Sequence, residues 1–583
     1  MKIKKTLLIL FVVVILAFIL RLIVAQAVEI VPDEIVYSLL PWKIISAQRL
    51  STVEGGPLFS YLTDLGYILF GEVNAISTRF PSIIFGSLTV ILIYLCSLKL
   101  FENRKAALFS SFLFALSGYV LENNTESDMV AFFFALLSMY FFLFFLDGKR
   151  NYLYLSTACL TLAVLCKILP LLFVPVYALV FFLHTKGYLK SGQDYKEEQD
   201  KSLFDKNIFD IKLLKMILGC LAIVFLLLMP TIMYNYLEFK NNGKTENTVS
   251  TLLGIGAQFH PETSQVDPWN FSTMLGFLKR FFAKFFIPDP IIVTLGIIGV
   301  FLVIPQRRSG PFLLLLSALL LLFYVGGITG SATHYLWVPL VLSLFAGYSI
   351  EKGRIFITRF NLRSALVIFI IIFMIMAISS IYFQSIISKK TASMELRKYV
   401  VENIPKNAII IMDPRIYYGS YSWILHERHY LNGMHFQALL NEIGTSASPK
   451  VEVPLYYIEC SGDTTCGWKR EDYDRVNSFA EGLSDYLKQH LRYVGEVDAN
   501  HHFFVHQGTI AVPPAIFQSI DLTHVFWGSS IGWKYSDLNI DEYPKQGSNK
   551  IFHMIGLLFL YLDLLLALLT IPFVFVLLFK IEK

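Results

Sequence analysis

Apolar runs long enough to cross a bilayer recur along almost the whole chain, and this recurrence limits the fold more than any other feature. The first extends from about Thr6 to Val28, and others cover about Phe80 to Leu100, Ala106 to Val120, Met129 to Leu146, Met216 to Tyr234, Ser364 to Ile387 and Ile551 to Phe579. A helix needs roughly 20 apolar residues to span the hydrocarbon layer. Tyr152 to His184 is too long for one such helix and is broken by Lys167 and Pro170, so it reads as two spans joined by a tight turn. Of 583 residues, 55% are hydrophobic and only 16% charged, which excludes an ordinary soluble globule and selects a chain that uses lipid as solvent.

Charge gives the sidedness. Arg104-Lys105, Lys149-Arg150, Arg307-Arg308 and the set Lys352, Arg354, Arg359 and Arg363 all fall in alternate loops, as cytoplasmic loops require. The basic start Met1 to Lys5 precedes a run with no small-residue cleavage site, so a retained first helix is expected, entering from the cytoplasm. Counting parity then predicts about twelve spans, both termini cytoplasmic, in a multi-pass protein of the cell membrane. The net charge of +5 is spread over these loop clusters and implies no nucleic-acid partner. Pro57 to Phe70 has the aromatic and leucine spacing of an amphipathic helix at the membrane surface.

The fold class expected is therefore a polytopic α-helical membrane protein carrying an α/β or α+β domain before its last span. Residues 1–388 form the membrane module, 389–550 an extracytoplasmic soluble domain, and 551–583 the final span with its tail. In the soluble part, Ala408 to Asp413 and Val453 to Ile458 read as strands, and Met394 to Asn403 and Asp472 to Leu491 as helices. Cys460 and Cys466 stand close together in polar sequence and, in an oxidising compartment, suit a small disulfide loop. His426, His429 and His435, like His501, His502 and His506, lack the spacing of a zinc site.

Chemistry is expected where the first span leaves the bilayer, at the adjacent acids Asp33 and Glu34. On the same predicted face lie Asp128, at the end of the acidic loop starting at Glu122, then Lys167, the basic stretch Lys279, Arg280 and Lys284, and His334-Tyr335. Acids at a membrane surface can activate a hydroxyl or hold a cation, and basic groups beside them can take a phosphate. Each has a plainer reading: a solvated pair for Asp33 and Glu34, a helix cap for Asp128, a snorkelling lysine for Lys167, an ordinary interfacial histidine, and a basic helix resting on anionic lipid.

The run Thr78-Arg79-Phe80-Pro81-Ser82, the later Ser127-Asp128-Met129, Lys167 between two spans and His334-Tyr335 before Pro339 resemble lipid-dependent GT-C glycosyltransferases. The branch is the superfamily of protein O-mannosyltransferases and aminoarabinose transferases, and the resemblance covers about Leu7 to Ile350. It implies that Asp33, Glu34 and Asp128 are catalytic, that Lys167, Lys279, Arg280, Lys284, His334 and Tyr335 bind the donor phosphate, and that Asp33 and Asp128 are the residues to hold a divalent metal cation. The implied reaction moves a monosaccharide from a polyprenyl-phosphate donor to an extracytoplasmic protein, glycan or lipid acceptor. Glu54-Gly-Gly-Pro57 departs from the family pattern, which has a basic residue before two prolines, and no Trp-Trp pair marks the oligosaccharyltransferase branch. No nucleotide-binding glycine loop occurs, in keeping with a lipid-linked donor. The rival class, a transporter or flippase for a lipid-linked sugar, would place charges deep in the membrane and often shows repeats. A catalytically silent binding protein is the third class.

Overall fold

The computed structural model describes residues 5–30, 34–35, 38–39, 50, 57–190, 211–242, 285–328, 333–357, 377, 380–413, 415–416, 421–433, 436–460, 482–499, 501–520 and 549–582. Among these, four helices are long and apolar enough to cross a membrane: Lys5–Ala25, Ala75–Phe101, Ser127–Leu146 and Lys550–Glu582. A fifth span is formed if Leu214–Leu227 and Met229–Leu237, bent by 52° at their junction, act together. Shorter apolar helices cover Tyr152–Cys166, Leu169–Thr185, Pro290–Gln306 and Ser309–Tyr324. The break predicted at Lys167 and Pro170 is present, because the helix ends at Cys166 and Pro170 opens a short 3-10 turn over Leu169–Leu172. Most of the expected span from Ser364 to Ile387 lies outside the described residues.

Ser127–Leu146 is the core helix. Its apolar residues run round the whole circumference, and nearly all of them are buried, as a helix surrounded by other helices requires. Ala75–Phe101 packs beside it. Asn74 caps that helix in a reciprocal capping box with Ser77, and Pro81 inside it cannot donate to the carbonyl of Ser77. That carbonyl turns to Gly66 of the neighbouring helix Pro57–Phe70, where a Cβ would come within 2.3 Å of it. Pro57–Phe70, expected on the membrane surface, is instead enclosed along Pro57 to Asp64. Only Ile68, Leu69 and Phe70 at its end are exposed.

Residues 409–512 contribute a five-stranded mixed sheet of β1 (Ile409–Met412), β2 (His429–Asn432), β3 (Val451–Cys460), β4 (Arg492–Asp498) and β5 (His502–Val512), in the order β2-β1-β3-β5-β4. β1 runs parallel to β2 and β3, and β5 is antiparallel to β3 and β4. Side chains alternate between its faces. Ile409, Ile411, Leu431 and Tyr457 face the helix Phe436–Thr445 through Leu439 and Ile443. Ile410, Met412, Tyr456 and Ile458 face Leu396 and Val400 of the helix Ala392–Asn403, and the same core takes in Ile30, Ile35, Tyr67 and Val73 from the N-terminal part of the chain. The sheet domain is thus packed onto the first loop.

At the ends of β1 and β3 a charged network is enclosed. Asp413 accepts from Arg415, from the Tyr457 hydroxyl at 3.2 Å and from the Cys460 amide at 3.0 Å. Burial alone would raise the Glu459 carboxyl, but hydrogen bonds from His506, Lys488 and Ser484 outweigh it and hold the group at about 2. A carboxyl depressed on folding stabilises the native state above its unfolded value, about 4.3, and that stability is lost as pH falls toward 2. Acid titration of the purified protein should therefore weaken the sheet domain between pH 5 and about 2. Glu459→Gln should flatten that dependence, read by denaturant unfolding at each pH, and an unchanged profile would contradict this account. Cys460 is buried and disulfide-bonded, while Cys466 lies outside the described residues.

Candidate active site

One turn of the helix Ala75–Phe101 holds both acid-bearing segments. Arg79, fully buried, makes a bidentate pair with Glu34, Nε to Oε2 at 2.6 Å and Nη2 to Oε1 at 2.7 Å. The same guanidinium donates to the carbonyls of Ala25 at 2.6 Å, Val28 at 3.0 Å and Glu29 at 2.7 Å, which are the carbonyls left open where the first helix ends. Three residues on, Ser82 lies on the same side of the helix. Its hydroxyl donates to Glu126 O at 2.8 Å, and its own carbonyl accepts from Asn124 Nδ2 at 3.0 Å. The loop before Asp128 is thereby fixed to the helix that fixes Glu34. Asp33 itself lies outside the described residues, as do Lys279, Arg280 and Lys284.

Asp128 is the second residue of the core helix, in its first turn, where the helix dipole favours an anion. Glu126, not Asp128, occupies the cap position, so the capping alternative for Asp128 does not apply. The Asp128 carboxylate is fully buried between two basic groups, Lys167 Nζ at 3.4 Å and His334 Nδ1 at 3.3 Å. Lys167 reaches it because it caps the helix Tyr152–Cys166 in an extended conformation, just before the Pro170 turn. His334 and Tyr335 form a 3-10 turn ahead of the helix Trp337–Ile357. Trp337 anchors that turn, donating to Ser317 Oγ at 2.9 Å and packing against Phe132 and Phe173. Tyr335 is buried against the Phe285 ring at 5.8 Å.

Asp128, Lys167 and His334 therefore stand at helix ends, Arg79 lies one turn into its helix, and three of the predicted residues meet at Asp128. Among the described residues no group of three His, Cys, Asp or Glu side chains stands together to hold a metal. Sequence reasoning gave Arg79 no role, although it sits in the Thr78-to-Ser82 motif. It also passed over Arg21 and Asp563, whose positions within apolar runs were visible signals. Arg21 is buried beside Gly86, where a Cβ would come within 2.8 Å of Arg21 Nε, and its guanidinium lies 5.6 Å from the Phe114 ring. Asp563 is fully buried in the last helix, with neither carboxylate oxygen hydrogen-bonded among the described residues.

Residues 54–194 match the model of the family described as dolichyl-phosphate-mannose-protein mannosyltransferase. No curated protein sequence matches the chain. Among solved structures, ArnT from Cupriavidus metallidurans, bound to undecaprenyl phosphate, is similar over 87% of this chain and 98% of its own, with a TM-score of 0.53 and 12% identity. The Archaeoglobus fulgidus oligosaccharyltransferase in its apo form is similar over 86% of this chain and 74% of its own, with a TM-score of 0.49 and 13% identity. The fold assignment rests on the first of these. The resemblance to GT-C glycosyltransferases read from the sequence is borne out by the matched segment and by the shared fold.

Proposed function

We propose that the protein is an integral-membrane glycosyltransferase that moves a monosaccharide from a polyprenyl phosphate to a protein, glycan or lipid acceptor on the extracytoplasmic side of the cell membrane. The observation that carries this reading is the buried Asp128–Lys167–His334 cluster, held to the same helix as the acid segment after the first span. Undecaprenyl phosphate bound to the similar ArnT supports the donor class. In this reading Asp33 takes the proton of the acceptor hydroxyl or amine as that atom bonds to the sugar C1. The bond from C1 to the phosphate oxygen breaks, and the polyprenyl phosphate leaves with both electrons. Lys167 offsets the phosphate charge, with His334, Tyr335 and the stretch Lys279, Arg280 and Lys284 as further contacts. Asp128 holds Lys167 and His334 in position. Glu34, already bound by Arg79, anchors the segment that carries Asp33.

A divalent cation on Asp33 and Asp128 belongs to the proposal. Oxygen donors suit such an ion, but the Asp128 oxygens face Lys167 and His334, so the fit is partial and no step depends on it. The cation would add positive charge against the phosphate. The proposal also includes both termini on the cytoplasmic side, the domain limits 1–388, 389–550 and 551–583, and the pairing of Cys460 with Cys466.

A transporter would be favoured by charge deep in the bilayer, and Asp563, buried midway along the last helix, is the residue that speaks for it. The charges that cluster, however, do so at helix ends. Mass spectrometry of glycans and lipids after deletion of the gene should show an acceptor that lacks one sugar, with the lipid-linked sugar accumulating. Unaltered glycans and lipids would overturn the reading.

A further inference from the structure

The first loop is gripped from the sheet domain as well as from the membrane module. At the start of the helix Ala392–Asn403, the amide of Ser393 donates to Glu29 Oε1 at 2.8 Å, and the Ser393 hydroxyl accepts from the Ile30 amide at 3.1 Å. One turn later Arg397 donates to the Val73 carbonyl, immediately before the cap of the helix that carries Arg79, and to the Trp423 carbonyl. Its guanidinium lies over the Trp423 ring at 4.7 Å. Arg79 closes the triangle by binding Glu29 O and the Glu34 carboxylate. Apolar contact fills the interior, since Ile30, Ile35, Tyr67, Val73, Leu396 and Val400 share one core. From these bonds we infer that the helix Ala392–Asn403 sets the position of the acid segment at Glu34, with Ser393 and Glu29 as the positioning pair. The inference rests on the glycosyltransferase reading and gives the sheet domain a part in it.

The physical reason is distance along the chain. Glu29 and Ile30 stand only a few residues before Asp33 and Glu34, so freedom at the first pair becomes displacement of the second. Rate is steep in such displacement, because a reacting group about 1 Å out of place can lower turnover by 10²-fold. The bonds of Ser393 go to Glu29 and Ile30, and the Asp128 cluster is formed by Lys167 and His334, so loss of the Ser393 hydroxyl should change turnover with little change in donor KM. A fixed loop also explains why a charged residue such as Glu29 is held at the start of a helix, where its carboxylate faces open amides.

The test uses the full chain in nanodiscs, comparing wild type with Glu29→Ala, Ser393→Ala, the double variant and Ser393→Thr. Hydrogen exchange is read over residues 26–39, together with the kcat and donor KM of sugar transfer. The double variant should exchange roughly tenfold faster in that segment, with β1 to β3 unchanged, and its kcat should fall by about tenfold with KM within about twofold. Ser393→Thr, which keeps the hydroxyl, should recover most of the loss. Unchanged exchange would overturn the inference, and so would faster exchange with unchanged kcat. A wild type that transfers no sugar would refute the glycosyltransferase reading instead, and the exchange result alone would then decide whether the clamp exists.

Discussion

Arg79→Met is expected to abolish sugar transfer and to destabilise the protein by about 3–5 kcal/mol, the range for removing one member of a buried ion pair. The reason is the set of groups left behind. The Glu34 carboxyl would be left without its partner in a site sealed from water, and the carbonyls of Ala25, Val28 and Glu29 would lose their donor together. Arg79→Lys should recover little, since an ammonium cannot make the two parallel bonds to Glu34 and reach the carbonyls at once. The double variant Arg79→Met, Glu34→Gln leaves no charge unpaired. It should regain a good part of the thermal stability while remaining inactive. Thermal unfolding and transfer assays on the four proteins check this, and a double variant no more stable than Arg79→Met would show that the pair is not the cause.

Asp128→Asn should lower turnover by about 10²–10³-fold, and Lys167→Met by a similar factor. The two act as a unit, because Lys167 is held by Asp128 and Asp128 is fully buried against it. Combining them should therefore lower the rate little beyond either one alone, as for other groups that work together. If Lys167 offsets charge on the departing phosphate, as proposed, its loss should appear mainly in kcat, with the donor KM changed much less. Full additivity of the two losses would show that the residues serve separate steps.

Much of this site could be read from the chain. Asp128, Lys167 and His334 stand out by their places at the ends of apolar runs, and the fold brings Lys167 Nζ and His334 Nδ1 within 3.4 Å of the Asp128 carboxylate. Helix limits were legible where apolar sequence was continuous, as at Ser127–Leu146 and Lys5–Ala25. The partner of Glu34 was not legible, because an ion pair across 45 residues leaves no local pattern. β4 and β5 escaped for a different reason. β4 is exposed at most of its positions, and β5 carries His502, His506 and Gln507 among its apolar residues, so neither shows the apolar periodicity that marks β1 and β3. His506, set aside as a zinc ligand on its spacing, bonds to Glu459 at 3.1 Å beside the sheet. The enclosure of Pro57–Phe70 depended on Gly66 meeting a carbonyl freed by Pro81, a tertiary contact that amphipathic spacing does not report.

Transfer from a polyprenyl phosphate with Asp33 as the base is tested most directly by following radiolabelled sugar from that donor with purified protein in nanodiscs. Wild type should move label to an acceptor. Asp33→Asn, which keeps shape and hydrogen-bonding capacity but loses basicity, should be slower by about 10²–10⁴-fold with donor affinity nearly unchanged. An Asp33→Asn protein as active as wild type would contradict the assignment of the base, and a wild type that moves label from none of the polyprenyl-phosphate sugars offered would contradict the account as a whole.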